Sequence, residues 1–280
     1  MPRVPISDLD DPRIAVYRHL KATNATRDAG LFVVEGETLV DRLLASRFPA
    51  DSVLATDRLE ARIAAKVPAD VPLFVVPDDR IGALVGFPFH RGVLASGRPR
   101  AWPDLGAILR AAGPRATLVI CPGLDMPDNL GAILRTGHAF GVDAVLVGPS
   151  CPDPLSRRVI RVSMGAALRL PVFAPSDLEG TVDRLRADLG FDLVAAVSQS
   201  DAPPIGRVRR SDRQALLLGT EATGLGPGWL ARADRRVTIP MSPGADSLNV
   251  AVAAGILLHY LAGDDASGRA KSPEPPMAGP

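Results

Sequence analysis

The stretch Ile239-Pro-Met-Ser-Pro-Gly-Ala-Asp-Ser247-Leu-Asn249-Val-Ala-Val-Ala-Ala-Gly-Ile-Leu-Leu258 decides how the second half of this chain is read. It opens at the end of a short β-branched run. It then crosses a loop of Ser, Pro, Gly, Ala and Asp, and continues as a long apolar helix expected over residues 247–261. Turn formers at that density leave backbone N–H and C=O groups free. The helix start behind them adds further N–H groups without partners. A strand-to-helix junction built this way can hold a small ligand by its polar edges.

Working outward, two earlier segments have a related design. In Leu216-Leu-Leu-Gly219-Thr-Glu221-Ala-Thr-Gly224-Leu-Gly226 an apolar strand runs straight into a glycine-rich loop carrying one acid. In Asp128-Asn129-Leu-Gly131-Ala-Ile-Leu-Arg135-Thr-Gly-His-Ala-Phe140-Gly141-Val-Asp-Ala-Val-Leu-Val147 a cap residue opens a helix, Gly141 closes it, and a buried strand follows. The glycine loop lacks both the G-x-G-x-x-G spacing of a dinucleotide site and the Gly-Lys-Ser/Thr of a phosphate loop. That counts against a nucleotide-binding oxidoreductase.

The remaining chain reads as alternating strands and helices. Before residue 100, strands are expected over 31–34, 52–55, 73–76 and 92–96. Helices are expected over 37–45 and 59–67, the latter capped by Asp57, with a leading helix over 14–21. Residues 97–103, rich in Gly, Pro and Arg, mark a boundary, and a short helix over 105–112 follows. Beyond it, strands are expected over 117–121, 142–147, 169–173, 193–197, 215–218 and 236–239. Helices are expected over 130–140, 155–167, 177–189 and 228–233. Strands alternating with helices imply a mostly parallel sheet covered on both faces. The polar tail, 264–280, has the composition of a disordered segment.

Bulk properties narrow the class. The chain has 280 residues, of which 46% are hydrophobic, enough for two modest domains or one large one with a full core. A net charge of +1 does not advertise a nucleic-acid binder, although a local basic patch remains possible. Arginine far outnumbers lysine; arginine suits phosphate contacts, but the skew fits genomic base composition better. Cys121 and Cys151 form neither a disulfide framework nor a zinc spacing. No apolar run reaches membrane-spanning length and no signal segment opens the chain, so a cytoplasmic setting without membrane attachment is expected.

Taken one at a time, the polar residues of these segments have ordinary readings. Asn129 is an N-cap, Arg135 a solvated helix arginine, Glu221 a surface acid, and Ser247 and Asn249 helix-start residues. His138 and His259 read as packing or surface histidines; His90, beside Arg91 near a strand start, reads first as a surface histidine, with an RNA contact as the alternative. Asn129 and Arg135, six residues apart, lie about 120° apart around a helix, so they do not share a face.

Together and in this order, the three segments resemble the three motifs of the SpoU (TrmH-type) RNA 2′-O-ribose methyltransferases, a branch of the SPOUT superfamily. The resemblance runs from about Thr117 to Tyr260. More weakly, Phe32-Val-Val-Glu35-Gly36-Glu37 and His90-Arg91-Gly92-Val93 resemble the small ribosomal-protein-like domain often found ahead of that catalytic domain. The resemblance implies an α/β fold in which residues 1–100 form an RNA substrate-binding domain, 101–113 a linker and 114–263 a trefoil-knotted methyltransferase domain. It implies S-adenosylmethionine as cofactor, held at Leu218, Gly219, Ile239, Met241 and Leu248, and no metal. It assigns the reaction to Arg135 with Asn129, Glu221, Ser247 and Asn249. It also implies a homodimer whose sites draw on both subunits, and RNA as the partner, ribosomal RNA ahead of transfer RNA. A non-catalytic RNA-binding or ribosome-assembly factor on the same fold is the alternative of another class.

Overall fold

A computed structural model describes residues 3–20, 29–199, 201–220 and 222–262. The strands, in chain order, are β1 (Arg3–Pro5), β2 (Phe32–Glu35), β3 (Ala50–Thr56), β4 (Leu73–Val76), β5 (Val93–Gly97), β6 (Ala116–Cys121), β7 (Ala144–Val147), β8 (Val172–Phe173), β9 (Asp192–Ala196), β10 (Arg213–Leu217) and β11 (Arg235–Val237). The α-helices are α1 (Glu37–Leu44), α2 (Glu60–Ala64), α3 (Ile81–Val85), α4 (Leu105–Ala112), α5 (Pro127–Ala139), α6 (Arg157–Val162), α7 (Leu178–Ala187), α8 (Pro227–Arg232) and α9 (Val250–Ala262).

Packing divides the chain into two units. The first takes Met1–Asp104, Leu124–Arg135 and Ser150–Phe173; the second takes Leu105–Gly123, Thr136–Pro149 and the chain from Ala174 onward. The first break falls after Asp104, next to the boundary expected at residues 97–103, but two later segments pack with the first hundred residues.

In the first unit the sheet order is β1-β4-β3-β5-β2. β1, β4 and β3 run parallel, while β5 is antiparallel to both β3 and β2. Its core gathers Ile14, Tyr17, Val33, Leu54, Phe74, Leu84 and Leu94. A short 3-10 helix, Pro12–Tyr17, stands where a helix over 14–21 was expected; residues 21–28 lie outside the described ones. A three-residue period puts Ile14 and Tyr17 on one face, and both are fully buried. The Tyr17 hydroxyl donates to the Ser52 carbonyl at 2.9 Å and accepts from the Ser96 N–H at 3.0 Å. That satisfies a polar tip inside an apolar core.

Asp57 does not cap the helix after it. Its Oδ1 accepts from the N–H groups of Arg58 (2.8 Å) and Asp78 (3.2 Å), and α2 starts only at Glu60 with no side-chain cap. The helix expected over 155–167 stops at Val162. Met164 and Gly165 both take positive φ, 51° and 76°, which ends an α-helix, and a 3-10 turn over Ala166–Leu168 follows.

A buried ion cluster ties α6 to β2. Glu35, 3% exposed, lies 3.6 Å from Arg157 Nη1 and 3.5 Å from Arg161 Nη1. Burial pushes the Arg157 guanidinium down from its usual range, and the Glu35 carboxylate counters it. α5 rests on α6 through Gly131, where a Cβ would come within 2.7 Å of Val162 Cβ. Arg158 adds a bidentate pair to Asp128 at 2.8 and 2.9 Å.

In the second unit β11, β9, β10, β6 and β7 stand side by side in that order, every pair parallel. Leu118, Val119, Ile120, Val145, Leu146, Val194, Leu216 and Leu217 are all fully buried. Such near-continuous apolar strands are what a sheet covered on both faces requires. The backbone is tight after β7: a Cβ on Gly148 would fall 1.8 Å from the Pro122 carbonyl oxygen.

Candidate active site

A cavity of about 420 Å³ opens in the second unit, lined by residues that follow the carboxyl ends of β9, β10 and β11 and by the first turns of α9. Ligands of open α/β sheets bind at this kind of strand end. Three segments build it. After β10 come Leu218, Gly219 and the loop to Leu225. After β11 come Ile239, Met241 and Asp246–Leu248 in sequence, and after β9 come Val197, Ser198 and Gln199. All five positions expected to hold a cofactor, Leu218, Gly219, Ile239, Met241 and Leu248, line this cavity, as does Ser247.

The β10 loop is held by its own backbone. Thr220 N–H donates to Gly224 O at 3.2 Å, and Gly224 N–H donates back to Thr220 O at 2.9 Å. The Thr220 and Thr223 hydroxyls pair at 2.9 Å, and Thr223 N–H donates to Thr220 Oγ1. Gly224 needs its flexibility, at φ 65°. Gly219 is glycine for a different reason: a Cβ there would sit 2.1 Å from Gly224 C and 2.4 Å from Leu225 N. Two stretches of backbone therefore meet at Gly219 with no room for a side chain. Glu221, at this loop's tip in the sequence, lies outside the described residues.

The loop after β11 turns at Gly244 (φ 88°), with Ala245 N–H donating to Ser242 O at 3.1 Å. α9 begins at Val250, three residues later than expected. The reason is Asn249: its Oδ1 accepts from the N–H groups of Ala251 (3.0 Å) and Val252 (3.3 Å), which makes it the N-cap. Ser247 is thereby left in the loop, exposed, and its neighbour Leu248 is part of the lining. At the other end of α9, Gln214 Nε2 donates to Leu261 O at 2.9 Å, and Arg210 donates to Ala262 O.

Asn129 and Arg135 belong to the first unit. Asn129 is not the N-cap of α5 that its ordinary reading makes it. The helix starts at Pro127, so Asn129 is in the first turn, 8% exposed, with its N–H on Met126 O at 3.1 Å. Arg135 projects from the same helix and is exposed. Gly141 ends this helix as expected, with φ 72°.

Ser198 and Gln199 were not singled out in the sequence. Two polar residues directly after a buried apolar strand are the signal that would have found them. Among the described residues no group of three or more His, Cys, Asp or Glu could hold a metal, and no helix is long and apolar enough to cross a membrane. Cys121 is buried in β6.

Residues 116–259 match the model of the SpoU rRNA Methylase family. An uncharacterized tRNA/rRNA methyltransferase of Mycobacterium bovis is 36% identical over 262 residues, covering 91% of this chain and 90% of the relative. The 23S rRNA (guanosine(2553)-2′-O)-methyltransferase RlmP of Bacillus subtilis is 28% identical, across 92% of this chain and 99% of its own length. Among solved structures, the SpoU methyltransferase AviRb from Streptomyces viridochromogenes in complex with the cofactor AdoMet superposes with a TM-score of 0.73 at 25% identity, covering 88% of this chain and 95% of AviRb. The match spans the strands, the glycine loop and the α9 junction that build the cavity, so the chain belongs to the SpoU rRNA methylase family.

Proposed function

We propose that this protein methylates a ribose 2′-hydroxyl in RNA, with S-adenosylmethionine as the methyl donor and ribosomal RNA as the substrate. One observation carries the reading: two separate chain segments supply Leu218 and Gly219, and Ile239, Met241 and Leu248, to a single cavity at the ends of parallel strands. Two stand where a strand has just ended, and the others lie in the loop that leads to α9, where free N–H and C=O groups can read the edge of an adenine. The close backbone contact at Gly219 fits a pocket whose wall is main chain. The AdoMet complex of AviRb supports the choice of cofactor, and the B. subtilis relative, similar over nearly the whole of both chains, supports ribosomal RNA. On this reading residues 114–263 form a trefoil-knotted domain, residues 1–100 select the RNA, and the protein works as a homodimer.

When bound, S-adenosylmethionine supplies a methyl group already activated by its sulfonium. The protein's task is to align the ribose hydroxyl and to take away one proton. Arg135 is assigned to the RNA, fixing a phosphate and the target ribose; a guanidinium stays protonated and makes a poor base. Asn129, Glu221 and Ser247 are assigned to orienting Arg135 and the ribose. Asn249 acts through α9: as its N-cap it sets where the helix starts and hence where Ser247 and Leu248 stand.

Titration calorimetry with S-adenosylmethionine, followed by ribose-methylation mapping of cellular RNA with and without the protein, tests the reading. Cofactor binding and a ribosomal methyl group that vanishes with the protein are expected. A folded protein that takes up no S-adenosylmethionine refutes it, as does an unchanged methylation map.

A further inference from the structure

We infer that a second cleft, in the first unit, is a landing site for the phosphate backbone of the RNA substrate. The inference rests on the proposed RNA methyltransferase reading and adds to it where the RNA is gripped. The cleft, about 450 Å³, lies between the start of α1 and the turn before β5. Its walls carry Arg58, Arg62, His90 and Arg91.

The charges around it do not cancel. Glu35 lines the cleft, but its buried carboxylate faces Arg157 and Arg161. Glu37 pairs with Arg62 at 2.5 Å and Asp78 with Arg58 at 3.3 Å. Arg91 has no acidic partner among the described residues. With Asp57, whose Oδ1 accepts from the Arg58 N–H at 2.8 Å, five guanidiniums meet four carboxylates, and the positive charge left over is that of Arg91. This is the local patch that the whole-chain charge conceals.

Arg91 is also held in place. Its Nη1 donates to the Glu35 carbonyl at 3.2 Å, and its stem lies over Gly36, where a Cβ would come within 3.1 Å of Arg91 Cδ. Gly92, at φ 66°, has no side chain to keep Arg58 away: a Cβ there would be 3.3 Å from Arg58 Nη2. Glycines at 36 and 92 thus let two arginines close on the same space. The first turn of α1 adds donors. Gly36 gives it no side-chain cap, and the N–H groups of Glu37 and Thr38 have no partner among the described residues. Guanidiniums on one side and helix N–H groups on the other suit a phosphodiester. Carbonyl and carboxylate groups beneath, already occupied by Arg91, Arg157 and Arg161, do not repel it.

The test uses the full-length protein and a short fluorescein-labelled single-stranded RNA, with anisotropy titrations across a series of potassium chloride concentrations. The variants are Arg91→Ala and the double variant Arg58→Ala/Arg91→Ala. Arg184→Ala on α7 is the control, an exposed arginine whose guanidinium bonds, among the described residues, to the Thr181 hydroxyl. Each lost phosphate contact lowers the slope of log K against log salt by about 0.7, so the double variant should lose about 1.4 in slope and bind roughly tenfold more weakly at physiological salt. The control and the affinity for S-adenosylmethionine should stay unchanged. A double variant with the parent's affinity and slope overturns the cleft while leaving the methyltransferase reading intact. A parent protein that binds S-adenosylmethionine but shows no salt-dependent RNA affinity overturns both. An equal loss in Arg184→Ala overturns the cleft by showing the attraction to be diffuse.

Discussion

Gly219→Ala is the sharpest probe of the cavity. The new Cβ would lie 2.1 Å from Gly224 C, 2.4 Å from Gly224 O and 2.4 Å from Leu225 N, whereas ordinary contacts begin near 3.4 Å. All three atoms are backbone, so no side chain can swing aside. Gly224 and Leu225 must retreat from Gly219, and so from Thr220, by more than an ångström. That movement breaks the Thr220–Gly224 hydrogen bonds, now 2.9 and 3.2 Å. Overpacking of this kind costs about 1–3 kcal/mol, and each lost hydrogen bond about 1 kcal/mol. Part of this strain can be relieved by displacing the exposed loop, and that relief opens the wall of the pocket. The expected outcome is an affinity for S-adenosylmethionine weakened at least tenfold, about 1.4 kcal/mol, with a melting temperature only a few degrees lower. Titration calorimetry and circular dichroism melts read the two effects separately. An affinity within twofold of the parent would refute the argument, because it would mean that the Gly219–Gly224 contact is not part of the binding wall.

Arg135→Ala should abolish methyl transfer to RNA and leave the calorimetric affinity for S-adenosylmethionine within a few-fold; residual turnover near the parent's would remove Arg135 from the reaction. Glu35→Ala strands Arg157 and Arg161 without their shared carboxylate and should lower stability by about 2–3 kcal/mol, less than a wholly buried pair because both arginines keep some water; thermal melts check this, and no change would mean that the cluster adds nothing. By the same reasoning, deletion of residues 1–100 should leave the 114–263 domain folded but destabilised, since it removes β2 from α6; a fragment that melts like the parent would contradict it. Tyr17 supplies a pH prediction: burial pushes its hydroxyl up to about 12, above the ordinary value near 10. The folded state thus holds the proton more tightly, so stability present below pH 10 should fall as pH rises from about 10 to about 12. Tyr17→Phe should flatten that alkaline decline in denaturant titrations while losing about 1–2 kcal/mol at neutral pH from the stranded Ser96 N–H and Ser52 carbonyl; an unchanged alkaline slope would refute the assignment.

The sequence by itself determined the parallel-sheet class and the segments around the cavity. Strands buried on both faces must be apolar along their whole length, so runs such as Leu216-Leu-Leu and Leu193-Val-Ala are recognisable without a partner in view. Loops that leave strand ends in Gly, Ser, Pro and Asp are equally local, which is why these loops stand out, whereas Gly219, Ile239 and Leu248 are named only through the resemblance to the SpoU motifs. Helix ends were less legible, because a cap depends on which of several polar residues turns inward. Asn249 takes the α9 N–H groups that Ser247 or Asp246 could have claimed, and Asp57 spends its carboxylate on Arg58 and Asp78 instead of on α2. What only the tertiary structure decided is where distant residues meet. Glu35 and Arg161 are 126 positions apart, and nothing in the periodicity of β2 or α6 pairs them. Nor does it place residues 124–135 and 150–173 with the first hundred. A hydrophobic pattern tells a segment which face to bury, but the partner for that face is chosen by three-dimensional packing, and so is the charge a buried carboxylate must find.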